Sequence, residues 1–273
     1  MSKQIKLFIV EGEKRDNTRI KWLIDCFLTG KYSARIITIP AAQNIFMLYE
    51  KMKEDDFDTD IVELLRESNA DVRKQLEGIS RQDVSEIYMF FDFDIQEDNL
   101  SRRSLRGSDD QAKAAIETML SVFDNETENG KMYLSYPMIE AVYDYKDGLC
   151  EPYTKCFVDI SEISDYKTMA GAGNPKAARH YSIDDWNMLI NVFYLRLKCL
   201  FNIDELDYGY YRRCVDPMPV YLAQSEIAND DNAVFVLSAL PEFLLDYFRQ
   251  DFWNSRIKLQ KKRYTYCSKN VSG

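Results

Sequence analysis

Apolar residues in the first half of the chain fall into two alternating patterns, short unbroken runs and helix-spaced stripes. Lys6 to Val10 (KLFIV), Ala34 to Ile39 (ARIITI), Ile87 to Phe91 (IYMFF) and Met132 to Ser135 (MYLS) are the runs. A run this short, without alternation, fits a strand buried on both faces of a parallel sheet. Asn17 to Leu28 instead sets Ile20, Leu23, Ile24 and Phe27 on one helical face, and Gly30 follows where a helix stop belongs. Asn44 to Lys53, Ile61 to Leu76 and Gln111 to Phe123 also read as helices, the first two separated by the acidic stretch EDDFDTD. Pro137 opens a further helix through about Tyr145. Strands alternating with helices predict βαβ units and an α/β fold, a parallel sheet flanked by helices.

From about Asp147 the texture changes. MAGAGNP (Met169 to Pro175) is turn-rich, Asp184 to Leu200 and Ser238 to Phe252 look helical, and IKLQKKRY ends the chain in a basic tail. The expected organisation is a catalytic domain over 1–146, with a helical insertion at about 44–81, and a mainly helical C-terminal region over 147–273.

Charge narrows the function classes. The 273 residues carry 45 acids against 35 bases, a net charge of -10, which argues against non-specific coating of nucleic acid but leaves room for a local basic groove. The start, MSKQIKLFIVEGEK, lacks a secretory pattern, and no apolar stretch approaches a membrane span, so a cytoplasmic protein without membrane contact is expected. Six cysteines are scattered with no C-x-x-C pair and read as reduced thiols.

Three acidic clusters fall at or just beyond strand ends, the edge where open α/β sheets bind ligands and metals. In FFDFD, Asp92 and Asp94 stand at i and i+2 after an apolar strand and point to the same side of it. Two carboxylates brought that close repel unless a cation or a proton lies between them. Mg²⁺ accepts one or two carboxylates and completes its shell with water and substrate phosphate. Two solvated acids in a loop is the competing reading. In VEGEKRD, Glu11 ends a strand and Gly12 permits a tight turn, whereas Glu13 and Asp16 also suit a helix N-terminus. In SYPMIEA, Glu140 lies in the first turn after Pro137, where, taken alone, simple helix-end stabilisation explains it better than metal binding does.

Taken in order, E-G after the first strand, D-x-D after a later one and S-x-P-x-x-E after the next resemble the Toprim domain. The chain is most similar to Toprim nucleases of the phage-defence and overcoming-lysogenization (OLD) type, including RloB-like proteins and the AriB effector of the PARIS system. Glu11-Gly12-Glu13-Lys14-Arg15-Asp16 looks like their E-G-E-K-T-E motif, and the likeness covers roughly residues 5 to 145. It implies a Toprim-like sheet and metal-dependent phosphodiester hydrolysis of RNA or DNA with Mg²⁺ or Mn²⁺. Glu11, Asp92 and Asp94 would be metal ligands and acid/base groups, Glu140 a further ligand, and Asp16 the second acid of the first motif. Nuclease members also use a downstream lysine, for which Lys167 is the candidate and Lys176 the substitute. An ATPase partner subunit would be in keeping, and a homo-oligomer stays open.

Arg102, Arg103 and Arg106 (RRSLR), with Lys176 and the KLQKKR tail, are the candidate nucleic-acid contacts, although charge runs are more often solvated faces. Tyr208 to Arg213 (YGYYRR) reads either as a base-stacking surface or as core packing. His180 is the single histidine and reads as structural, and neither a P-loop nor a G-x-S-x-G elbow is present. Two other functions fit the same residues. A haloacid-dehalogenase-like phosphatase would use Asp92 as nucleophile and Asp94 as acid/base, although Gln96 stands where that motif carries threonine. A non-catalytic sensor or interaction subunit would keep the fold without the chemistry.

Overall fold

Strands form where the apolar runs lie. The computed structural model describes residues 4–30, 34–93, 100–107, 109–145, 156–172 and 180–257. β1 (Ile5–Val10), β2 (Arg35–Pro40), β3 (Val84–Asp92), β4 (Asp124–Asn125) and β5 (Gly130–Ser135) make a five-stranded sheet in the order β2-β1-β3-β5-β4. β1 runs parallel to β2, with Val10 opposite Pro40, and parallel to β3, with Val10 opposite Phe90. β4 and β5 pair antiparallel. The fold is therefore α/β with a mostly parallel sheet flanked by helices, as the alternating pattern predicts.

Contacts divide the chain into two compact units, Met1–Asp92 with Ala114–Tyr133, and Phe93–Lys113 with Leu134–Gly273. In the first, aromatic rings stack across three strands. Phe8 lies 5.3 Å from Tyr88 and 6.2 Å from Phe90, and Phe90 lies 5.6 Å from Tyr133. All four are buried, and each such ring contributes roughly 1.5–3 kcal/mol through the apolar area removed from water. Gly130, at φ 116°, allows the close approach, because a Cβ there would meet Ile87 Cγ2 at 3.0 Å.

Helices α1 (Arg15–Phe27), α2 (Ile45–Lys53), α3 (Ile61–Ser68) and α4 (Ala70–Gln75) complete this unit's first segment. The single helix expected over Ile61 to Leu76 is two. Asn69 adopts extended backbone (φ -138°, ψ 118°), and its side chain accepts the N–H groups of Asp71 at 2.9 Å and Val72 at 3.2 Å. A short amide that can cap competes with helical hydrogen bonding, so the chain stops and restarts there. α5 (Leu100–Leu105) and α6 (Asp110–Val122) follow β3.

In the second unit, the helix expected from Pro137 to Tyr145 is a 3₁₀-helix over Ile139–Tyr143, entered through a cis Tyr136–Pro137 bond. β6 (Phe157–Asp159) and α7 (Ile163–Ala172) follow, then α8 (Ile183–Leu200), α9 (Tyr208–Cys214), α10 (Pro217–Asp231), β7 (Ala233–Phe235) and α11 (Ala239–Arg256). A capping box starts α8, Ser182 and Asp185 bonding each other's backbone N–H. β6 and β7 pair antiparallel, and Gln224 of α10 binds both the N–H and the carbonyl of Phe235, each at 2.9 Å.

The strand order positions the site. From β1 the chain moves to β2 on one side, then returns past β1 to β3 on the other. β1 and β3 are therefore neighbours whose onward connections lead apart. Right-handed crossovers put those connections on opposite faces and leave a crevice beyond the strands' carboxyl ends.

Candidate functional site

Glu11 and Asp92 stand at that crevice, one at each strand tip. Glu11 prolongs β1, its N–H donating to the Phe90 carbonyl at 3.1 Å and its own carbonyl accepting from the Ala42 N–H at 3.1 Å. Its carboxylate Oε2 accepts the Asp92 backbone N–H at 2.9 Å. Both residues are half-buried. The local sequence explains the meeting: apolar residues commit β1 and β3 to the interior, and the first polar residue after each run emerges at the same edge. A carboxylate offers about four lone-pair sites, and the Asp92 N–H takes one of those of Glu11.

Asp16 sits beside this turn. Its Oδ2 accepts the Gly12 N–H at 2.7 Å, and a Cβ on Gly12 would meet that oxygen at 2.7 Å. Gly12 is thus needed for the approach of Asp16. The buried Arg19 lies 3.8 Å from Asp16, so this carboxylate ties the Glu11–Gly12 turn to the first turns of α1.

Sequence reasoning missed two amides with buried, unpartnered atoms in the same unit. Gln43, in the loop after β2, is buried, and neither its Oε1 nor its Nε2 has a hydrogen-bond partner. Asn17 of α1 has a buried Oδ1 without a partner. A lone amide in a loop or a helix has no motif; only an account of buried polar atoms finds it.

Glu140 and Lys167 belong to the second unit, and there they meet. Glu140 is 4% exposed, and the mostly exposed Lys167 ammonium lies 3.8 Å from its carboxylate. Behind them Arg196, fully buried, donates to the Val236 carbonyl at 2.9 Å and lies 3.3 Å from Asp144, whose carboxylate accepts the Tyr166 hydroxyl at 3.3 Å. Burial, and then the Asp144 carboxylate, push the Tyr166 hydroxyl well up from its ordinary value. Ser135 has a framework role, its hydroxyl accepting the Ala239 N–H at 3.3 Å.

The candidate nucleic-acid arginines are engaged within the fold. Arg103 pairs with Asp109, and Arg106 donates to Asn232; Arg102 lies on the same short helix, α5. In the YGYYRR cluster Tyr211 is buried, its ring 4.9 Å from Trp253, with Tyr194 and Tyr208 at 5.7 and 5.9 Å from the same indole. That is core packing. His180 is exposed, its Nδ1 3.1 Å from the Tyr181 carbonyl oxygen. Asp94, Lys176 and the KLQKKR tail lie outside the described residues.

Among the described residues, no group of three His, Cys, Asp or Glu side chains gathers as a metal site, and none of the cysteines forms a disulfide. Among them, too, no helix is long and apolar enough to cross a membrane. No family model, curated protein or solved structure matches the chain.

Proposed function

We propose that the chain is a divalent-metal-dependent phosphodiesterase acting on RNA or DNA, of the Toprim type resembled by its motifs, and that it serves in anti-phage defence. The observation that carries this reading is the pairing of Glu11 with Asp92 at the strand-order reversal between β1 and β3. Ligands of open α/β sheets bind in that crevice. Glu11 and Asp92 would hold Mg²⁺ or Mn²⁺, with Asp94, two residues further on, as the third acid of the sequence motif. When bound, such an ion neutralises phosphate oxygens and lowers the pKa of its water. Asp16 keeps the Glu11–Gly12 turn closed, so that the Glu11 carboxylate stays over the end of β3.

Purified protein should cleave a mixed RNA and DNA substrate pool with Mg²⁺ or Mn²⁺ and lose that activity in chelator. Glu11→Gln and Asp92→Asn should each lower the cleavage rate on the order of 100-fold or more, as expected for groups that hold the ion. Metal-dependent cleavage that survives both substitutions overturns the proposal. Trapping of beryllium fluoride on Asp92 would move the assignment to a phosphatase.

A further inference from the structure

Helices α3 and α4 and the segment that follows them line a hollow of about 620 Å³, to which Glu63, Arg66, Arg73, Lys74 and Glu77 contribute. All five belong to the first unit. Cavities for small organic ligands run from about 300 to 1,000 Å³, so the size suits one. Ala70 and Ile79 add apolar surface to the same lining.

The charges in this lining are unevenly matched. Arg66 is committed: its Nη1 donates to both Glu63 carboxylate oxygens, at 2.8 and 2.7 Å, and its Nη2 donates to the Ile79 carbonyl. Arg73 is fixed without being neutralised. Its Nε donates to the Arg66 carbonyl and its Nη2 to the Glu67 carbonyl, each at 3.2 Å. Among the described residues, neither Arg73 nor the exposed Lys74 beside it pairs with a carboxylate, and Glu77 pairs with no cation. The chain has 45 acids against 35 bases, so two adjacent cations without a counter-ion are out of keeping with the rest. Both stand in the last turn of α4, where the helix end stabilises a cation by about 0.3–1 kcal/mol. That accounts for neither the hollow nor the unpaired acid that shares it.

A ligand that answers this lining has two unlike ends. Arginine meets a phosphate as a planar fork and lysine meets it as a point charge, so the Arg73–Lys74 pair suits a dianionic phosphate better than a single carboxylate. A guanidinium already held by two carbonyls loses little further freedom on binding. Glu77 repels a ligand that is anionic throughout, and it accepts hydrogen bonds from hydroxyl or amino groups. We propose that the hollow binds a nucleoside monophosphate, with Arg73 and Lys74 on the phosphate and Glu77 on the ribose hydroxyls. The base lies against Ala70 and Ile79. This site needs no divalent ion and does not depend on a metal at Glu11 and Asp92.

Calorimetric titration of the full chain with adenosine monophosphate tests this, in chelator so that no divalent ion carries the phosphate elsewhere. Wild type should bind one equivalent, more tightly than it binds inorganic phosphate. Lys74→Gln removes an exposed charge that pairs with no carboxylate in the fold. It should weaken binding on the order of 10-fold, the worth of one charged hydrogen bond, at an unchanged melting temperature. Arg73→Gln should weaken it similarly, with a lower melting temperature because the α3 carbonyls lose their donor. Glu77→Ala separates the two ends: adenosine monophosphate should bind more weakly, and inorganic phosphate as tightly or more so, because a like charge has gone. Wild type that leaves millimolar adenosine monophosphate unbound overturns the proposal, as does Lys74→Gln protein that binds it as tightly as wild type. Inorganic phosphate that binds wild type as tightly as the nucleotide overturns it too, since the nucleoside end then adds nothing.

Discussion

Glu11 combines a structural and a chemical capacity in one side chain. Its backbone carries the β1 ladder one residue further, and its carboxylate fastens the start of the loop after β3 through the Asp92 N–H. A hydrogen bond to a charged acceptor is worth about 1.5–3 kcal/mol. Glu11→Ala should therefore lower stability in urea unfolding by about that amount. Glu11→Gln keeps an amide oxygen for the Asp92 N–H and should retain most of it, yet lose Mn²⁺ binding. An Ala variant that unfolds at the wild-type urea concentration would remove the structural half of this account. Both acids were legible in the sequence, because an acid directly after an apolar run needs a reason to be there. Gln43 and Asn17 were not, since their signal is the absence of partners in three dimensions. Strain at Arg249 was equally hidden. It interrupts α11 with φ 60° and ψ -150°, a region in which glycine alone is comfortable. Arg249→Gly should raise stability by about 1 kcal/mol, read as a higher melting temperature.

Element legibility followed how singular each pattern was. Buried parallel strands leave unbroken apolar runs, and β1, β2, β3 and β5 each stand within a few residues of their runs. The three-residue strands β6 and β7 are too short for any period to register. In α10 the buried positions include Gln224, so a polar residue faces inward and blurs the stripe. The break between α3 and α4 rests on the side chain of Asn69. Asn69→Ala removes the cap on two backbone N–H groups and should cost about 1 kcal/mol in thermal unfolding. A gain in helical circular dichroism without that loss would mean that α3 and α4 fuse once the asparagine is gone. Asp109 caps α6, and the Ala112 N–H is the first cause, ahead of Arg103, that holds its carboxyl below the ordinary range. A carboxylate lowered in the folded state contributes stability above its unfolded pKa and loses it as pH falls through the folded value. Asp109→Asn, which can cap but does not titrate, should therefore flatten the acid limb of stability below about pH 4.

At the scale of the whole molecule, charge decides how a polyanion could bind. The chain carries ten more acids than bases. Several of its bases are spent internally: Lys6 on Glu86, Arg81 on Asp60, Arg103 on Asp109, Arg196 on Asp144 and Arg212 on Asp246. A basic groove binds nucleic acid by releasing counterions, and added Mg²⁺ competes with it for phosphate, so affinity falls. An acid-lined site has the opposite sign, because carboxylate and phosphate repel until a divalent ion lies between them. Binding of a cleavage-resistant oligonucleotide, followed by fluorescence anisotropy, should be weak in chelator and strengthen as Mg²⁺ enters the millimolar range. In the Asp92→Asn variant that strengthening should largely disappear. Its salt dependence should also be shallow, a log–log slope smaller in magnitude than about 3, since the divalent ion rather than a row of bases meets the phosphate. Affinity that falls with Mg²⁺, with a slope steeper than about 5, would locate the nucleic acid on a basic surface away from Glu11 and Asp92.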